Sequence, residues 1–125
     1  MRRNDEEHQA QKAVVKWAKL RESVCPELQL LYAIPNGGKR SKYEAARFKA
    51  EGVKSGVPDL HLPIQRGPFI GLWVEMKTAK GRVQPEQKAW HVALRRQGHF
   101  VEVCRSSADA IKLIEDYLNQ IVEPF

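Results

Sequence analysis

Apolar residues recur at helical spacing through Ala10, Ala13, Val14, Trp17, Ala18 and Leu20, which predicts a first helix over residues 5–21 with Asn4 or Asp5 as its cap. The same projection sets Glu7 and Gln11 on the stripe that continues through Val14 and Ala18, so two polar groups point toward the core side. Residues 28–34 read as a short strand closed by the turn Pro35, Asn36, Gly37 and Gly38. A helix over residues 42–50 follows, ending at Gly52. Two further strands, 60–64 and 69–77, flank a connection of Gln65, Arg66, Gly67 and Pro68 that is short enough for an antiparallel pair.

After a polar loop at 78–84, Pro85 opens a helix that runs to about residue 97 and stops at Gly98, with Gln87, Trp90, His91 and Leu94 on one face. Residues 100–104 form another strand. Ser106 and Asp109 then begin a last helix through Ile111, Ile114, Leu118 and Ile121. The order is α-β-α-β-β-α-β-α, with no internal repeat and no linker, so an α/β fold is expected as one domain over residues 1–125.

Charge adds a partner to this outline. The net charge of +6 is uneven: residues 38–54 carry Lys39, Arg40, Lys42, Arg47, Lys49 and Lys54 against Glu44 and Glu51, whereas the end of the chain is acidic. A basic middle suits nucleic acid better than an acidic small molecule. Cys25 and Cys104 have no CxxC spacing, and no secretory leader or membrane-length apolar run is present, which argues against a disulfide framework or structural zinc and for a reducing cytosol.

The chemistry concentrates at the ends of two apolar runs. Gly56, Val57, Pro58 and Asp59 lead into the first, and the second ends in Glu75, Met76 and Lys77. Two converging carboxylates can hold a hard divalent cation through oxygen, and a lysine two residues after one of them emerges on the same strand face. Mg²⁺ prefers such oxygens and lowers the pKa of a bound water, while an ammonium offsets charge that grows on a phosphate in the transition state. The bare backbone of Asn36, Gly37 and Gly38, with Lys39 and Arg40 beside it, is a candidate phosphate seat. His61 lies two residues after Asp59, on the same face, and reads as a structural imidazole; Trp17, Trp73 and Trp90 read as core.

Taken together, Glu7 with Gln11, the run from Ile34 to Gly38, Gly52 and Val53, the run from Gly56 to Leu60, Glu75 to Lys77, and Gly81 and Arg82 leading to Gln87 and Trp90 resemble the VRR-NUC domain, a branch of the PD-(D/E)XK nuclease superfamily. The resemblance implies a restriction-endonuclease-like core, a mixed central sheet flanked by helices. It implies Asp59, Glu75 and the backbone carbonyl of Met76 as ligands of Mg²⁺ or Mn²⁺, and Lys77 as the catalytic lysine. Glu7 and Gln87 fall at the site periphery, Glu7 as a further metal ligand or water-orienting group. Asn36, Gly37, Gly38, Lys39, Arg40 and Arg82 are the expected DNA contacts.

The expected activity is that of a structure-selective DNA endonuclease acting on branched DNA, resolving four-way (Holliday) junctions as a homodimer, in the cytoplasm of a bacterial or phage-infected cell. The rivals are a flap or end-processing nuclease, and a catalytically silent DNA-binding subunit on the same scaffold.

Overall fold

The computed structural model describes residues 3–35 and 41–122. Four helices flank a four-stranded mixed sheet among these residues: α1 (Arg3–Arg21), β1 (Tyr32–Ala33), α2 (Lys42–Ala50), β2 (Leu60–Leu62), β3 (Leu72–Met76), α3 (Pro85–Arg96), β4 (Phe100–Cys104) and α4 (Ser107–Leu118). The strand order is β1-β2-β3-β4. The first two pairings are antiparallel and β3 runs parallel to β4, with α3 as the crossover between them.

Alternation along β3 divides the sheet into two chemistries. Leu72, Val74 and Met76 point to one face and are fully buried beneath α1 and α4, against Val14, Ala18, Ile114 and Tyr117. Each fully buried leucine or isoleucine there contributes about 2 kcal/mol from apolar area alone. Trp73, Glu75 and Lys77 alternate to the opposite face, where α3 packs. Asp59 and His61 share that face, because His61 pairs across from Trp73.

The strand expected over 28–34 is mostly a 3-10 turn, Pro26–Leu30, followed by only two strand residues. Pro26 sets the helical φ at the start of the turn and Leu28 is buried as its anchor, so the chain turns before it can extend. Pairing then lasts for Tyr32↔His61 and Ala33↔Leu60, with Ile34 donating its N–H to the Asp59 carbonyl at 2.8 Å. The strands expected over 60–64 and 69–77 are likewise shorter, because Arg66 and Phe69 already pair as an isolated bridge that closes the hairpin. The last helix ends at Leu118 rather than reaching Ile121, with Asn119 as its cap residue.

Two local devices support the site. Ser41 caps α2 through a reciprocal box, its Oγ accepting from the Glu44 N–H at 3.1 Å, yet no residue of α2 is buried. Gly56 has φ +87°, and a Cβ there would meet Glu86 Cγ at 2.7 Å, the Glu86 carbonyl oxygen at 3.1 Å and Trp90 Cδ1 at 3.1 Å. Gly56 therefore lets the chain that leads to Asp59 lie against the start of α3. Gly56→Ala is expected to cost about 2 kcal/mol, measured as a fall in the urea midpoint at constant slope.

Candidate active site

Asp59 enters from the turn before β2, and β3 delivers Glu75, Met76 and Lys77 in sequence. The register Leu60↔Val74 brings Asp59 beside the end of β3, where its Oδ2 accepts the Met76 N–H at 2.7 Å. Glu75 is 1 % exposed, among the most buried side chains of the chain. Its Oε1 lies 3.1 Å from His91 Nε2 and its Oε2 accepts from Gln87 Nε2 at 3.4 Å. Gln87 is held in turn by the Gln84 N–H, which donates to Gln87 Oε1 at 2.9 Å and fixes the start of α3.

The electrostatics of this pair are unusual. Burial first, then the neighbouring Glu75 charge, pushes the Asp59 carboxyl from its usual 3.8 up to about 7. Burial likewise raises Glu75 from 4.5 to about 7, with the Glu7 charge adding to the rise and Lys77 opposing it. Each carboxyl thus feels Lys77, and Glu75 feels Glu7, so both the lysine and the first-helix acid lie within electrostatic reach of the pair. Among the described residues neither Asp59 nor Glu75 forms an ion pair with lysine or arginine; the only charged-type partner is His91, whose own pKa is lowered by burial. A neutral imidazole does not cancel a buried carboxylate.

A buried and a half-buried carboxylate side by side are costly as anions, and a divalent cation bound to their oxygens offsets that cost. The donor set fits a hard ion such as Mg²⁺ or Mn²⁺, which accepts two carboxylates and retains waters. No group of three or more histidine, cysteine or acidic side chains gathers at metal-binding distance among the described residues, which disfavours a closed structural zinc site. Both cysteines are free, with Cys104 buried.

Of the other expected positions, Arg82 lies exposed in the loop between β3 and α3, while Asn36, Gly37, Gly38, Lys39 and Arg40 fall outside the described residues. His61 stacks on Trp73 with ring centroids 3.8 Å apart and takes a 2.7 Å hydrogen bond with the Tyr32 hydroxyl, the arrangement of a structural imidazole. Trp73 and Trp90 are only half-buried.

Two residues at the site escaped the sequence reading. Arg105 reaches back under the loop after β3, its Nη1 donating to the carbonyls of Gly81 at 2.7 Å and Thr78 at 2.8 Å, and no local motif marks it. His91 sits one turn after Gln87 on the same face of α3, a spacing that was visible, but the buried carboxylate it meets was not. With Glu75 ionised, His91 Nε2 carries the proton and donates. His91→Ala is expected to weaken Mn²⁺ affinity about tenfold or more, read by calorimetric titration, because Glu75 then loses one of the two donors that orient it.

The VRR-NUC domain family model matches residues 2–108. Among solved structures, a VRR_NUC domain protein is 31% identical, with 91% of this chain and 88% of that one covered and a TM-score of 0.77. No curated protein matches the chain. No helix among the described residues is long and apolar enough to cross a membrane.

Proposed function

The chain belongs to the VRR-NUC domain family, a family of nucleases, and from that premise we propose that it is a Mg²⁺- or Mn²⁺-dependent DNA endonuclease that acts on branched DNA. The observation that carries the reading is the adjacent pair of half-buried Asp59 and buried Glu75, both raised by burial, with Lys77 on the same sheet face. Asp59, Glu75 and the backbone carbonyl of Met76 would hold the ion, with Glu7 beside them. When bound, such an ion supplies Lewis-acid polarisation of a phosphate and a water of lowered pKa.

The chain's own groups do the rest. The Met76 N–H holds one oxygen of Asp59, and His91 with Gln87 holds both oxygens of Glu75, so neither carboxylate has to reorganise as charge moves. Lys77, on the sheet face of Glu75, would offset the negative charge that grows on a non-bridging phosphate oxygen. Water attacks phosphorus in line, the bond to the 3′ oxygen breaks, and that oxygen takes up a proton, leaving 5′-phosphate and 3′-hydroxyl ends. Neutral His91, buried against Glu75, orients the carboxylate and carries no part of the attack.

A four-way junction has two-fold symmetry, and paired symmetric cuts need two sites related by the same axis, which favours a homodimer. The runner-up is a flap or end-processing nuclease. A catalytically silent DNA-binding subunit would have no use for a lysine beside two adjacent acids. The test is cleavage of four-way junction, 5′-flap, duplex and single-stranded DNA with Mg²⁺, Mn²⁺ or EDTA. Paired symmetric nicks confined to the junction are expected. Preference for the flap would replace the junction with the runner-up, and binding without cleavage under every metal would leave only the silent subunit.

A further inference from the structure

A groove of about 740 Å³ opens between α2 and the start of α3, with Phe48, Lys49, Val53, Lys54 and Trp90 among its lining residues. Its lining comes from the same chain segments that deliver Asp59 and Gln87. Ser55 Oγ donates to Glu86 Oε1 at 2.7 Å and so ties the two walls together. Asp59 lies four residues beyond Ser55, and Gln87, which meets Glu75, directly follows Glu86. Lys49 and Lys54 are exposed and form no ion pair among the described residues, while Glu86 is engaged by Ser55.

The groove therefore combines apolar and aromatic lining with lysines that form no ion pair among the described residues. Intact duplex keeps its base faces stacked inside and offers only phosphates, sugars and base edges, so it would meet the lysines and leave Phe48, Val53 and Trp90 uncovered. Unpaired nucleotides present base faces that cover such a lining while their phosphates stay at the lysines, the combination that single-strand binding sites use. Phe48 already carries a cation over its ring, with the Arg47 guanidinium carbon 5.1 Å from the centroid, which adds positive charge at the same wall.

We propose that this groove seats a short unpaired DNA segment next to the scissile phosphate, with Lys49 and Lys54 on its phosphates and Trp90 and Phe48 against its bases. The proposal rests on the nuclease reading and sharpens it: the preferred substrate is branched DNA carrying unpaired nucleotides at the branch point. Base-sequence preference is then weak, because stacking accepts every base.

The experiment is a tryptophan-fluorescence titration with oligo(dT) in EDTA, where no cleavage occurs, on the native chain, on Trp90→Phe and on the surface double variant Lys49→Ala/Lys54→Ala. Oligo(dT) is expected to quench emission in the native chain, and Trp90→Phe is expected to lose most of that quench. The double variant should bind oligo(dT) about tenfold more weakly at low salt, with a shallower salt dependence. A second arm compares metal-dependent cleavage by the native chain of a fully paired junction with one carrying unpaired thymidines at the crossover, the latter being expected to be cut several-fold faster.

A quench that survives Trp90→Phe, or oligo(dT) affinity unaltered in the double variant, overturns the proposal. So does an equal loss of duplex and oligo(dT) binding, which would make the lysines general phosphate contacts. A concentration-dependent dimer that the double variant dissolves, with oligo(dT) binding unchanged, would give the groove to a second copy of the chain. Cleavage of DNA without these oligo(dT) effects rejects the groove and leaves the nuclease reading standing. Loss of all cleavage with the effects intact supports the groove and rejects the nuclease reading.

Discussion

Lys77→Ala is expected to lower the rate of metal-dependent DNA cleavage by about 10²–10³-fold at saturating substrate, with DNA affinity in EDTA changed by no more than about twofold. The backbone at Lys77 is held by its N–H, which donates to the Cys104 carbonyl at 3.0 Å and extends the parallel pairing one residue past β3. Strand alternation then directs its side chain to the face of Glu75. Its charge also lowers the pKa of both carboxyls, so its removal makes the pair harder to ionise. The alanine variant should accordingly show a pH–rate profile whose acidic limb moves to higher pH.

Lys77→Arg separates the two effects. A guanidinium retains the positive charge and should leave the acidic limb near its native position, yet its planar fork cannot reproduce the reach of an ammonium, so turnover should stay low. Single-turnover rates across a range of pH measure both quantities at once. A native rate in the alanine variant would remove Lys77 from the chemistry, and equal losses in affinity and rate would make it a binding residue.

The second large effect is on stability. Without metal, the protein is expected to become more stable as pH falls from about 8 to about 6.5, by on the order of 1–2 kcal/mol, or about 5 °C in Tm. Asp59 and Glu75 have folded-state values of about 7, against 3.8 and 4.5 ordinarily. Between those values the folded chain holds protons that the unfolded chain has released. Stability is therefore lost as pH rises through 7 and gained as it falls.

The gain levels off below about 6.5, because His61, lowered from 6.5 to about 4 mainly by burial, resists the proton that the unfolded chain accepts. Burial lowers His91 and His99 in the same direction. Saturating Mn²⁺ should erase the deficit at pH 8, since the cation takes the place of the protons. In Asp59→Asn/Glu75→Gln the slope between pH 8 and 6.5 should vanish together with the stabilisation by Mn²⁺. A metal-free native protein whose Tm is level across that range would show that the pair is ionised without cost, against the reading of the site.

How much of this was legible depended on how local each signal is. The helix over 42–50 and the one that Pro85 opens both form where the pattern predicts. The strand over 100–104 forms as expected. Residues 28–34 failed because their apolar content promised a strand while Pro26 and the anchoring of Leu28 impose a turn, and because β2 offers only three residues to pair with. That Glu75 and Lys77 share a strand face was readable from alternation, and the faces that carry Glu7 and Gln87 from helical phase. His91 and Arg105 were not, since each matters only through a partner 16 or more residues away along the chain.

By itself, then, the sequence determined the family, the order of helices and strands, the basic middle, and which side chains share a strand or helix face, because each follows from residue type and short-range spacing. Only the tertiary structure decided that Leu60 pairs with Val74, so that Asp59 meets the Met76 N–H. It also decided that His91 and Gln87 close over Glu75, and that α2 stands off α3 to leave a groove lined by Lys49, Lys54 and Trp90. The physical reason is that a carboxyl's pKa and a groove's shape are set by what is packed around them. Periodicity states which way a side chain points, and only long-range register and burial state what it faces.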